Sequence, residues 1–169
     1  IDHEYVHPKG KIYKGEKSKI KDLDLIIDEI KDSDFIIDDG SHVPEHQLLC
    51  FNHLFDKLLN KGGTYIIEDI ETSYWKKSEL YGYKINSGYN AKNNIVNIFK
   101  NIVDIVNREF LLDKDIEKIK KFKQIKFENL KYISFIMFGQ NCIIIKKMSQ
   151  KEYDRYGERK YRFIENLGK

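Results

Sequence analysis

Apolar and polar positions alternate along this chain in two distinct periods. Ile20 to Ile30 (IKDLDLIIDEI) sets Ile20, Leu23, Ile27 and Ile30 at helical spacing. Asp34 to Gly40 (DFIIDDG) is an apolar run closed by acids and a glycine, which suits a parallel strand buried on both faces. A second helix follows. Pro44 fits its first turn, with Ser41 or His42 at its entrance. Leu48, Leu49, Phe51, Leu54, Phe55, Leu58 and Leu59 form its apolar face, and Lys61-Gly62-Gly63 is the expected stop. Thr64 to Asp69 (TYIIED) reads as the next strand, again ending in acids. Lys11 to Gly15 (KIYKG) reads as a short strand before the first helix. Residues 11–69 are therefore expected to run strand, helix, strand, helix, strand, which implies a parallel sheet with helices on its faces.

Beyond this unit, residues 70–90 read as an irregular loop rich in Tyr, Ser and Gly. Asn94 to Phe110 is a strongly amphipathic helix, and residues 111–130 are charged, helix or loop. Tyr132 to Phe138 and Asn141 to Lys147 are apolar strands around Gly139-Gln140, the pattern of a tight antiparallel hairpin. The expected fold class is α/β: a Rossmann-like, mostly parallel sheet, helices on both faces, and a C-terminal antiparallel hairpin. Residues 1–148 are expected to form this domain, with 149–169 a charged tail or helix.

Composition narrows the function classes. The 169 residues, 41% hydrophobic and 34% charged, suit one domain with its own core. No apolar run approaches the ~20 residues that span a bilayer, and no signal-peptide pattern opens the chain, so a cytoplasmic location is expected. Thirty basic residues against 27 acidic ones leave a net charge of +3, which argues against a nucleic-acid partner. Cys50 and Cys142 lie in apolar contexts and read as buried free thiols.

The chemistry concentrates in Asp38-Asp39-Gly40-Ser41-His42 and Glu68-Asp69. Each stretch lies just past a buried-type strand, and ligands in such sheets bind beyond the carboxyl ends of the strands. Asp39, Glu68 and Asp69 would then offer several carboxylate oxygens within a few ångströms. Acids that close stay ionised together when a cation neutralises them, and hard oxygen donors favour Mg²⁺, Mn²⁺ or Ca²⁺. His42, three residues after Asp39, can take a proton from a hydroxyl near neutral pH. The same residues also suit ordinary turn and capping chemistry. His46 is a weaker ligand candidate, and His53 reads as structural.

IIDDGSH followed by GGTYIIEDIETSYW resembles the centre of class I S-adenosylmethionine (SAM)-dependent methyltransferases. More narrowly, it is similar to the metal-dependent sugar O-methyltransferases of the macrocin, mycinamicin and rhamnosyl-tetracenomycin type. The resemblance covers most of residues 1–148. It implies SAM and Mg²⁺ (or Mn²⁺) as cofactors and a small-molecule or glycan acceptor. It implies Asp39, Glu68 and Asp69 as metal ligands and His42 as general base. Asp2 (or Glu4), Glu16 and Asp38 fall at the cosubstrate positions, although Lys17 stands where the family has glutamine. Tyr74 and Trp75 would line the active-site mouth or anchor the loop on the core. The family's first strand and glycine-rich loop have no counterpart here. A piece of a longer protein, supply of that segment by another chain or a homo-oligomer, and loss of SAM binding are the open readings. The alternative function is a catalytically inactive remnant serving as a binding or scaffold module. A related hydroxylase fold of the cephalosporin type also clusters acids at these strand ends but lacks the TSYW segment.

Overall fold

The computed structural model describes residues 8–121 and 123–157. Helix α1 (Ile20–Ile30) leads into strand β1 (Ser33–Asp38), helix α2 (Pro44–Lys57) and strand β2 (Leu59–Glu68). A 3-10 turn at Ile70–Tyr74 precedes a small hairpin, β3 (Ser78–Leu80) and β4 (Tyr83–Ile85), where an irregular loop was expected. Helix α3 (Ile95–Ile102), a 3-10 segment (Val103–Phe110) and short helices α4 (Asp113–Lys120) and α5 (Phe127–Leu130) follow. Strands β5 (Ile133–Gly139) and β6 (Cys142–Lys147), helix α6 (Gln150–Glu152) and a π-helical turn (Tyr153–Gly157) complete the described chain.

The main sheet has the order β1-β2-β6-β5. β1 and β2 are parallel, as the strand–helix–strand reading requires, and β6 and β5 add antiparallel. Lys11–Gly15 forms no strand. Its end is drawn instead toward α1, where Asp22 Oδ2 accepts from the Glu16 N–H at 2.7 Å.

The core lies on one face of the sheet. Phe51 of α2 packs edge-on against Tyr65 (5.3 Å, 85°) and Phe99 (5.0 Å, 81°) and lies beside Phe55 at 4.8 Å. All four rings are fully buried, with Ile67, Ile143 and Ile145 of the sheet around them. Such aromatic clusters carry a large share of a core's stabilisation. On the opposite face Phe35, Ile37, Phe135 and Met137 are exposed, so helices cover one face of the sheet among the described residues. Ile20 and Ile30 of α1 are also exposed, and Leu23 is the residue that anchors that helix.

Two boundaries differ from the sequence pattern. α2 ends at Lys57, and Gly62 and Gly63 lie within β2 rather than stopping the helix. Ser33 pairs with Leu59 but Phe35 with Thr64, so β2 carries extra residues here. Gly62, at φ 81°, supplies the left-handed backbone that lets β2 absorb them. The Asn94–Phe110 helix is α-helical only to Ile102. There the buried Arg108 turns its guanidinium back to the carbonyls of Ile105 (2.9 Å) and Lys131 (2.9 Å), and the backbone leaves helical geometry at Asn107.

Residues 149–157 pack against the start of β5. Ser149 and Glu152 form a reciprocal cap, Ser134 Oγ donates to Glu152 Oε1 at 2.9 Å, and Tyr153 stacks on Tyr132 at 4.7 Å. No helix among the described residues is long and apolar enough to cross a membrane.

Candidate metal and catalytic site

The parallel pairing of β1 and β2 sets Asp38 beside Ile67. The residues just beyond, Asp39 on one side and Glu68-Asp69 on the other, therefore emerge at the same carboxyl edge. Two of them need unusual backbone. His42 (φ 54°) and Asp69 (φ 50°) both occupy the left-handed region, which disfavours residues with a Cβ. Strained non-glycine residues of this kind cluster at functional sites.

These turns bring three side chains together. His42 Nε2 lies 3.1 Å from Asp39 Oδ1 and 3.5 Å from Asp69 Oδ2. One donor atom from each of Asp39, His42 and Asp69 lies within 4.8 Å of the others. Asp39 is exposed, whereas His42 and Asp69 are half-buried. The two carboxylates at this spacing suit a hard divalent cation, and the imidazole beside them suits proton transfer. Glu68 ends β2 half-buried, but its carboxylate stands outside this converged trio.

The surroundings hold the trio from several elements. Thr72 Oγ1 donates to the His42 carbonyl. Gln47, 2% exposed on α2, donates through Nε2 to the carbonyls of Glu68 (2.8 Å) and Asp69 (3.4 Å). Asn141, between β5 and β6, donates to Asp69 Oδ1 at 2.7 Å. The Tyr81 ring sits 6.2 Å from the His42 ring, nearly perpendicular to it. None of these four residues had been singled out from the sequence, although Thr72 lies inside the GGTYIIEDIETSYW segment.

Asp38 is 3% exposed and both of its oxygens are engaged. Lys17 Nζ pairs with Oδ1 at 2.6 Å and Tyr65 O–H donates to Oδ2 at 3.0 Å. Burial, reinforced by the adjacent Asp38 charge, pushes the Tyr65 phenol well above its ordinary value. Gly40 lets the Lys17 chain pass: a Cβ there would overlap Lys17 Nζ. Glu16 accepts from Ser18 Oγ (2.5 Å) and Tyr83 O–H (3.2 Å) and pairs with Lys19 (2.5 Å). The Lys19 and Ser18 hydrogen bonds lower its carboxyl to about 2. Asp2 and Glu4 lie outside the described residues.

The remaining candidates take structural places. His46 lies outside the trio. Its Nδ1 is 2.8 Å from Ser41 Oγ, its ring meets Tyr83 edge-on at 4.7 Å, and burial lowers its pKa. His53 Nε2 is 2.7 Å from Asp24 Oδ1 on α1, the structural role its sequence position implied. Tyr74 is exposed and Trp75 half-buried just beyond Asp69. Cys50 is a buried free thiol, pushed up to about 12 by burial, whereas Cys142 is free and half-buried.

Comparison with known proteins follows the same residues. No family model matches the chain. It is 43% identical over 61 residues to an 8-demethyl-8-alpha-L-rhamnosyl tetracenomycin-C 2'-O-methyltransferase of Streptomyces olivaceus, covering 36% of this chain and 15% of the relative. It is 50% identical over 42 residues to demethylmacrocin O-methyltransferase of Streptomyces fradiae, covering 25% of this chain and 10% of the relative. Among solved structures, it is similar to the MycE methyltransferase from the mycinamycin biosynthetic pathway in complex with Mg, SAH and mycinamycin VI. The TM-score is 0.63 at 22% identity, over 83% of this chain and 32% of that one. The chain thus shares the fold of the matching part of MycE, and it spans less than a fifth of the length of these two curated relatives.

Proposed function

We propose that this chain carries the metal and base half of a SAM-dependent, divalent-metal-assisted O-methyltransferase acting on a hydroxyl of a sugar or glycosylated small molecule. The observation that carries the proposal is the meeting of Asp39, His42 and Asp69 at the carboxyl edge of two parallel strands, with His42 and Asp69 both in left-handed backbone. The named relatives are O-methyltransferases, one of them acting on a rhamnosyl tetracenomycin, and the MycE complex holds Mg and SAH.

In this reading Asp39 and Asp69 are the core metal ligands, and Glu68, whose carboxylate stands outside the trio, would complete the oxygen donors only by turning toward it. A divalent cation held there would lower the pKa of an acceptor hydroxyl and help to fix its position. His42 removes the hydroxyl proton, its ring held between the two carboxylates and its backbone pinned by Thr72. By the same resemblance Glu16 and Asp38 are assigned to the cosubstrate, and Asp2 to its ribose. Holding acceptor and methyl donor in line supplies a large part of the rate.

One observation favours the second reading, a binding module that does not methylate. Both Asp38 oxygens are already taken by Lys17 and Tyr65. Calorimetric titration of S-adenosylhomocysteine, with and without Mg²⁺, separates the two. It is done on this chain and on a form carrying upstream residues. Methyltransferase function predicts saturable heat from at least one form; no heat from either folded form favours the binding module.

A further inference from the structure

Asp69 combines three properties that work against a fixed carboxylate. It follows the last residue of a strand, it has left-handed backbone, and its side chain is 42% exposed. Its carboxylate is nonetheless oriented. Asn141 Nδ2 donates to Oδ1 at 2.7 Å, which leaves Oδ2 toward His42 Nε2 at 3.5 Å.

Asn141 is itself fixed by the same loop. Its Oδ1 accepts from the Glu71 N–H at 2.9 Å, and its carbonyl accepts from the Ile70 N–H at 3.4 Å. The antiparallel register sets Cys142 opposite Glu68, so the residue before Cys142 meets the residue after Glu68. Asn141 has φ 56°, which asparagine tolerates better than most side chains. Glycine would suit that backbone but could not donate. Aspartate would repel Asp69. A lysine would satisfy the carboxylate but add a positive charge beside the cation position. A neutral donor orients the carboxylate and leaves its charge intact.

We propose that Asn141, in the β5–β6 turn, is the positioning residue for Asp69, holding one carboxylate oxygen so that the other stays directed toward His42 and Asp39, where a cation would be held. The proposal rests on the reading of Asp69 as a metal ligand. Gln47 holds the backbone of the same strand end, and Asn141 holds the carboxylate. Partners that orient metal ligands commonly set affinity without touching the metal.

The test is Mn²⁺ affinity, read from free Mn²⁺ by electron paramagnetic resonance, for the wild type, Asn141→Gly and Gln140→Ala. Asn141→Gly keeps the left-handed turn and removes the donor. It is expected to weaken Mn²⁺ binding by roughly 10–100-fold in a protein that still unfolds cooperatively, with Gln140→Ala close to wild type. Should the glycine variant not fold, Asn141→Ser, too short to reach Asp69, is expected to show the same loss. Wild-type affinity in a folded Asn141 variant overturns the positioning role while the metal reading stands. Absence of Mn²⁺ uptake by the wild type overturns the metal reading and this inference with it.

Discussion

His42 Nε2 stands 3.1 Å from Asp39 Oδ1, a contact made across three residues because His42 adopts left-handed backbone at the entrance to α2. That turn swings the imidazole back over the end of β1 instead of along the helix. It also brings the ring to the carboxylate of Asp69, 27 positions away at the fold's next strand end. His42→Ala is expected to lower SAM-dependent methyl transfer by roughly 10²–10⁴-fold, the usual contribution of a positioned base. Undiminished turnover in the folded variant would remove the base role.

The Lys17–Asp38–Tyr65 group makes a second, structural prediction. Lys17→Ala leaves a carboxylate that is 3% exposed without its cation. Because Lys17 is itself partly exposed, the cost is about 1–3 kcal/mol, below that of a fully buried pair. Gly40→Ala displaces the same ammonium, so it should destabilise less in the Lys17→Ala background than in the wild type. Urea midpoints of the two single variants and the double variant check this. Additive losses would contradict the shared contact.

Much of this architecture was legible in the sequence. The apolar run before Asp38-Asp39 and the helical spacing from Pro44 identified β1 and α2, because an unbroken apolar run and a 3.6-residue period leave strong patterns; burial of β1 on both faces was not met, since Phe35 and Ile37 lie on the uncovered face. The hairpin around Gly139-Gln140 was equally visible, with the turn shifted to Gln140-Asn141. Lys11–Gly15 was misread because a short apolar stretch signals a strand only if a neighbour pairs with it. Gly62-Gly63 was misread because a glycine pair serves a bulge as readily as a helix stop. In the site, Asp39, His42 and Asp69 stood out as acids and a histidine after strands. Gln47 and Asn141 did not. Their partners lie 21 to 72 positions away, and no local spacing announces such a hydrogen bond.

Glu16 predicts a pH dependence. Its carboxyl is lowered from an ordinary 4.5 to about 2 by Lys19 and Ser18. A lowered carboxyl adds stability that is fully present above about 4.5 and is lost as pH falls toward 2. Glu16→Gln should therefore lower the urea midpoint near neutrality and flatten its fall across that window, so that the two profiles converge toward pH 2. An unaltered slope would show that the Glu16 contacts add no net stability.

The core makes the largest stability prediction. Phe51 touches Phe55, Tyr65 and Phe99 and is fully buried. Phe51→Ala is expected to cost about 3–5 kcal/mol in denaturant unfolding, whereas Phe51→Leu costs less because it leaves a smaller cavity. A loss under about 1 kcal/mol would mean that α2 does not pack on the sheet as described.

The most direct measurement of the central claim is a Mn²⁺ titration of the wild-type chain beside Asp39→Asn and Asp69→Asn, with displacement by Mg²⁺. The account predicts one Mg²⁺-displaceable site in the wild type and its loss in both variants, with all three proteins folded. Equal Mn²⁺ binding by wild type and both variants, or none by the wild type, would contradict it.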